Sequence, residues 1–190
     1  MRMKETQDGA EPTALGVSAH NLARLLTLID ADAAQSESRR NRLERAICSG
    51  GPILERAPYA MGTLTTAVQR VQCASDRLAV ILAPFASADD SAEVKASKEK
   101  ELDAFLAQTR SRCQPWLSTI VIKVDAANIE DVRGSWLYEH NGSVKAALDD
   151  GRLGEHLKAG GVVAHVCGRG ACGPPVRDAV AFGKELEGSM

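Results

Sequence analysis

The sequence predicts a mixed fold in two parts. Residues 15–75 read as an α-helical segment and residues 76–190 as a small α/β unit with about three mostly parallel strands; residues 1–14 form a tail and acidic loop. Two observations carry this division. Before Gln72 the apolar residues recur at helical spacing, whereas after Asp76 short β-branched runs alternate with helical stretches. A third bears on the core: aromatic residues make up only 4% of the chain, so the interior must be aliphatic and rich in alanine.

In the first part, Leu22, Leu25, Leu26 and Ile29 fall at i, i+3, i+4 and i+7 of an amphipathic helix. Ser18 is a suitable N-cap, its hydroxyl able to accept an amide hydrogen of the first turn. A second helix is expected over about 38–49, with Leu43, Ala46 and Ile47 inward. Gly50-Gly51-Pro52 should stop it, because proline cannot continue the hydrogen-bond ladder. A third, about 59–72, turns Met61, Leu64, Val68 and Val71 to one side.

In the second part, Leu78 to Ala83 is a continuous apolar run ended by Pro84, as for a strand covered on both faces. A charged helix follows over about 92–112, anchored by Leu102, Phe105 and Leu106; the Lys95–Glu101 run is its solvated face. Thr119 to Val124 and Val162 to Val166 are the next strands, separated by an irregular stretch rich in Asp, Asn and Gly. The rigid Gly173-Pro174-Pro175-Val176 turn leads into a last helix over about 175–186. Strand–helix–strand order favours parallel pairing with right-handed crossovers.

Several function classes are disfavoured at once. A net charge of -2 with scattered basic residues leaves no electrostatic footprint for nucleic acid. No apolar run approaches the ~20 residues that span a bilayer, and the polar start lacks the apolar core of a signal peptide. Five cysteines, an odd number at wide spacing, do not make a secreted disulfide framework. A reducing compartment such as the cytoplasm fits best, with organelle targeting left open. No phosphate-binding glycine loop, nucleophile elbow or Walker pattern is present, so no cofactor is indicated.

The residues that could carry chemistry lie near the two ends. Asp8 and Glu11 form a loop carboxylate pair suited to acid/base work or to binding sugar hydroxyls, although an exposed polar tail is the favoured reading. His20 and Asn21 sit on the first helix, where neighbours point about 100° apart and cannot both face one small ligand. His140 belongs to a turn, and Trp116 and Trp136 read as packing anchors. Cys167 and Cys172 flank a loop after the last strand. They could pack, which is the favoured reading, join as a disulfide or redox pair, or share a metal with His165 and His156. On a strand, His165 and Cys167 point to one face.

Two separated motifs then combine. Asp8-Gly-Ala-Glu-Pro with Val17-Ser-Ala-His-Asn-Leu, and Ala164-His-Val-Cys167-Gly-Arg-Gly-Ala-Cys172 with Pro175 and Asp178, resemble the spermatogenesis-associated (YyaL-like) family of thioredoxin-domain proteins, specifically its C-terminal third. The resemblance covers about residues 8–186. That family joins a thioredoxin-like domain to an (α/α)6 toroid similar to six-hairpin glycosidases and N-acylglucosamine 2-epimerases. It therefore implies that the helical segment corresponds to the last toroid helices and the α/β unit to a terminal appendage.

By position, Asp8 and Glu11 match the family's acidic loop. Ser18, His20 and Asn21 match the helix start, and Cys167 and Cys172 the terminal cysteine pair. Thr13-Ala14-Leu15-Gly16 replaces a small polar run, which removes hydrogen-bonding groups from the implied pocket. Arg177-Asp178-Ala179 likewise departs from the family's Thr-Asp-Pro.

Three functional expectations follow. The first is a truncated or split member of this family of sugar-processing relatives, not catalytically complete alone. Its partner would be a separate chain or upstream region carrying the toroid and thioredoxin-like domain. The second is a non-catalytic binding or assembly module docking on a partner chain. The third is a thiol redox role for Cys167 and Cys172.

Overall fold

The computed structural model describes residues 7–29, 32–73, 76–87, 89–111, 114–151, 153, 155, 161–168 and 171–188. The chain divides into two compact units, Met1–Asp76 and Arg77–Met190. No helix among the described residues is long and apolar enough to cross a membrane.

The first unit is helical: α1 (Ala14–Leu28), α2 (Ala33–Arg56), a 3-10 turn (Pro58–Met61) and α3 (Gly62–Cys73). Its core is Ala19, Ala23, Leu43, Met61, Leu64 and Ala67, flanked by Leu15, Leu22, Leu26, Ile47, Ile53 and Leu54. The face of α1 differs from the one the leucine spacing suggests. Gly16, Ala19 and Ala23 are buried, whereas Leu25 is 37% exposed. The reason is closeness of approach. A Cβ on Gly16 would stand 2.8 Å from Thr63 Cβ and 3.1 Å from the Leu64 amide nitrogen. Only small residues fit that crossing, so the larger ones move to its flanks.

Gly16→Ala is therefore expected to destabilise the unit by about 1 kcal/mol, the overpacking exceeding the gain in helix propensity. Gly51→Ala, whose Cβ would meet nothing within 4 Å, should stabilise by about 0.5 kcal/mol. Denaturant midpoints of the two variants should thus move in opposite directions.

Two expected boundaries are corrected. The N-cap of α1 is Thr13 rather than Ser18: the Thr13 hydroxyl accepts from the Gly16 amide at 3.2 Å, and Ser18 lies a full turn inside the helix. Nor does Gly50-Gly51-Pro52 stop the second helix. α2 runs on to Arg56, because Gly50 is buried against Leu64 and packing outweighs the one ladder bond that Pro52 cannot donate. At the far end of the unit, Asp76 accepts from the buried Arg70 guanidinium and from the Thr27 hydroxyl.

The second unit is a four-stranded mixed sheet in the order β2-β1-β3-β4, with β1 Arg77–Pro84, β2 Leu117–Val124, β3 Val163–Gly168 and β4 Ala171–Cys172. Among the described residues only β1 and β2 pair in parallel, with Leu78 opposite Ser118 and Leu82 opposite Ile122. β3 runs antiparallel to β1, and β4 returns antiparallel beside β3. The mostly parallel sheet is thereby corrected to a mixed one. The stretch between β2 and β3, expected to be irregular, carries short helices. Among its described residues are α5 (Ile129–Arg133), α6 (Trp136–His140) and α7 (Gly142–Leu148), ended or begun at Gly134, Ser135 and Asn141.

Strand alternation sends Ala79, Ile81 and Ala83 to one face. There α4 (Ala92–Arg110) and α8 (Ala179–Gly188) bury Phe105, Phe182 and Leu186 against Val162, Ala164 and Val166. Leu78, Val80 and Leu82 point the other way, to the side where α7 packs on β1. Arg77 fixes the end of α8, its guanidinium donating to the carbonyls of Leu186 (2.7 Å) and Glu185 (3.0 Å). Burial pulls that guanidinium below its ordinary pKa, with the Glu185 charge acting against the shift. The last helix begins later than expected, at Ala179. Val176 first forms a bridge to Ala164, and Asp178 accepts from the Ala181 amide at 2.7 Å.

Candidate functional site

The acidic loop of the first unit is built into the fold. Asp8 Oδ1 accepts from the Thr13 amide at 2.7 Å, and Oδ2 accepts from the Thr63 amide at 2.7 Å. The Asp8 amide in turn donates to the Ala60 carbonyl at 2.8 Å. One carboxylate thus joins the beginnings of α1 and α3, where amide hydrogens lack intrahelical acceptors and the helix dipoles favour a negative charge. The backbone hydrogen bonds from Thr13 and Thr63 hold the Asp8 pKa below the ordinary carboxylate value of 3.8. A depressed pKa with both oxygens engaged suits a structural clasp. A general acid requires the opposite shift.

The other expected site residues separate around α1. Glu11 is exposed on the loop. Ser18 and Asn21, three residues apart, share an exposed face bordered by Val17 and Leu25, 42% and 37% exposed. His20 turns instead toward α3, its Nε2 2.9 Å from the Thr66 hydroxyl. Thr13 and Thr63, the partners that give Asp8 its role, escaped the sequence reading. Thr13 carried a usable signal: a capping residue directly after Pro12 and ahead of a helical stretch.

In the second unit the cysteines meet. β3 and β4 place Cys167 directly opposite Cys172, and a disulfide joins them across the hairpin. Of the three alternatives for the two thiols, the disulfide forms in place of the favoured packing role, because the antiparallel register brings their Cβ atoms to the same face. Cys167 is 2% exposed, Cys172 only half-buried, and the Cys172 sulfur lies 3.8 Å from the Ser143 carbonyl oxygen. His165 sits on the same sheet face, 3% exposed, with Nδ1 3.4 Å from the Gly173 carbonyl oxygen.

The bridge closes a loop with a sequence separation of 5. So short a loop limits the entropic stabilisation to about 2 kcal/mol. His156, the other metal candidate, lies outside the described residues, and among those residues no cluster of three or more His, Cys, Asp or Glu is placed to hold a metal.

Trp136 is not the packing anchor its size suggests. It is 57% exposed and stacked on His140, with ring centroids 4.5 Å apart. The pair lies one turn apart on α6, and His140 Nδ1 is 2.9 Å from the Trp136 carbonyl oxygen. Nearby, the Tyr138 hydroxyl bonds to the Asp149 carboxylate, which raises the phenol pKa above its usual value. Comparison of the chain with protein-family models, curated proteins and solved structures finds no match to any of them.

Proposed function

We propose that this chain acts as a non-catalytic assembly module, related to the C-terminal third of the spermatogenesis-associated thioredoxin-domain proteins. The observation that carries the reading is the Asp8 clasp. The carboxylate in the best position for acid/base chemistry is bonded through both oxygens to backbone amides of two helices. Support comes from α1, where Val17 and Leu25 border Ser18 and Asn21 on a face turned away from the α2 and α3 packing. The partner of this reading is a chain carrying toroid helices and a thioredoxin-like domain, whose apolar helix faces would cover that strip.

The purified chain is expected to show no turnover in glycosidase and sugar 2-epimerase assays; robust activity would overturn the proposal. Light scattering after size exclusion addresses the assembly half. Self-association or complex formation supports it, and a stable compact monomer that takes no such partner counts against it.

A further inference from the structure

We propose that Cys167 and Cys172 form a reversible thiol–disulfide exchange site, entered at Cys172, that accepts two electrons from a low-molecular-weight thiol. This inference is independent of the assembly reading. It begins from how little the bridge adds as a staple. Loop-closure stabilisation grows with loop length, and a separation of 5 is near its lower end. The loop is, moreover, already closed by the backbone. The Gly173 amide donates to the Val166 carbonyl at 2.9 Å, and Ala164 and Val176 exchange hydrogen bonds of 2.9 and 2.8 Å. His165 adds a further tie at the Gly173 carbonyl. These contacts hold the return segment on β3 whether or not the sulfurs are joined.

The two sulfurs also differ in access. Cys167 is 2% exposed, while Cys172 is half-buried and next to the exposed Ala171. An incoming thiolate therefore reaches the Cys172 sulfur first. Its attack forms a mixed disulfide at Cys172, breaks the Cys167–Cys172 bond and sends the electron pair to Cys167, which takes up a proton. A second thiolate attacks the small-molecule sulfur of the mixed disulfide, leaving as the oxidised dimer and releasing Cys172. The Cys172 thiolate is protonated, and its S–H has an acceptor already in place, the Ser143 carbonyl oxygen at 3.8 Å. The net change is two protein thiols and one small-molecule disulfide from one protein disulfide and two small-molecule thiols. The reduced hairpin thus keeps its backbone bonds and satisfies its exposed-side thiol.

The test equilibrates the full chain with stepped ratios of reduced to oxidised glutathione, followed by acid quench, alkylation and mass mapping of each cysteine. A reversible two-electron transition is expected, with little change in far-UV circular dichroism between the end states. In single variants the remaining thiolate attacks oxidised glutathione and releases one reduced glutathione, and Cys172 of Cys167→Ser should react about tenfold faster, or more, than Cys167 of Cys172→Ser, because only the accessible sulfur can reach the reagent. A bridge that survives a large excess of reduced glutathione would overturn the proposal. So would thiols that do not reoxidise, or preferential addition at Cys167. Cys167→Ser/Cys172→Ser serves as the fold control, and its collapse would identify the bridge as a staple.

Discussion

Phe182→Ala is expected to lower the stability of the α/β unit by about 4 kcal/mol, the largest effect of any single truncation considered for this chain. Phe182 is fully buried on α8, its ring centroid 5.5 Å from that of Phe105 on α4. The floor beneath the pair consists of Ala79, Ile81 and Ala83 from β1. Alanines have no reach with which to refill the space, so the lost ring leaves a cavity as well as lost transfer energy. Phe182→Leu, which keeps most of the volume, should cost about 1.5 kcal/mol. Urea or guanidinium midpoints distinguish the two, and a loss below about 1 kcal/mol for the alanine variant would show that α8 is not seated as described.

Asp8→Ala is the second large effect, expected at about 2 kcal/mol from the loss of two charge-assisted bonds to the Thr13 and Thr63 amides. Its pH dependence has a definite sign. The folded pKa lies below 3.8, the value taken for the free side chain, so the unfolded chain binds the proton more readily. The Asp8 contribution is therefore fully present above that value and is lost as the pH falls through the lower, folded pKa. Asp8→Asn keeps an amide oxygen but no charge and is flat at this position. The stability difference between wild type and Asp8→Asn should be constant at neutral pH and shrink below about pH 4. A difference independent of pH down to acid unfolding would mean that the carboxylate is not the clasp.

Of the candidate sites, the carboxylates and the cysteines were visible as residue types; a disulfide stood among three readings of the cysteines, and the role of Asp8 was not visible. Asp8 drew attention as a loop acid. Its function as a helix clasp depends on the Thr63 amide, 55 residues away, which no local pattern can reveal. The cysteine pair was legible to the extent that His165 and Cys167 share a strand face. The bridge itself needed β4, a strand of two residues with no periodicity of its own. His20 and Asn21 part company as adjacent helical positions must, and that could be stated beforehand.

The fold divides along the same line. Long periodic or β-branched segments identify themselves locally, because a helix or strand must repeat its apolar pattern to bury a face; α4, β1 and β2 were all readable in this way. Tertiary contact decided the rest. Strand direction was one such feature: β3 pairs antiparallel with β1, which no local pattern states. Helix α2 continued through Gly50-Gly51-Pro52 because α3 packs against the bare glycine. The buried face of α1 passed from leucines to Gly16, Ala19 and Ala23 because two backbones approach there more closely than any larger side chain permits. The amino-acid order determines which elements can form and which residues have chemistry to offer. Packing distance and strand register, which arise only when separate elements meet, determine which of those residues become core, clasp or bridge.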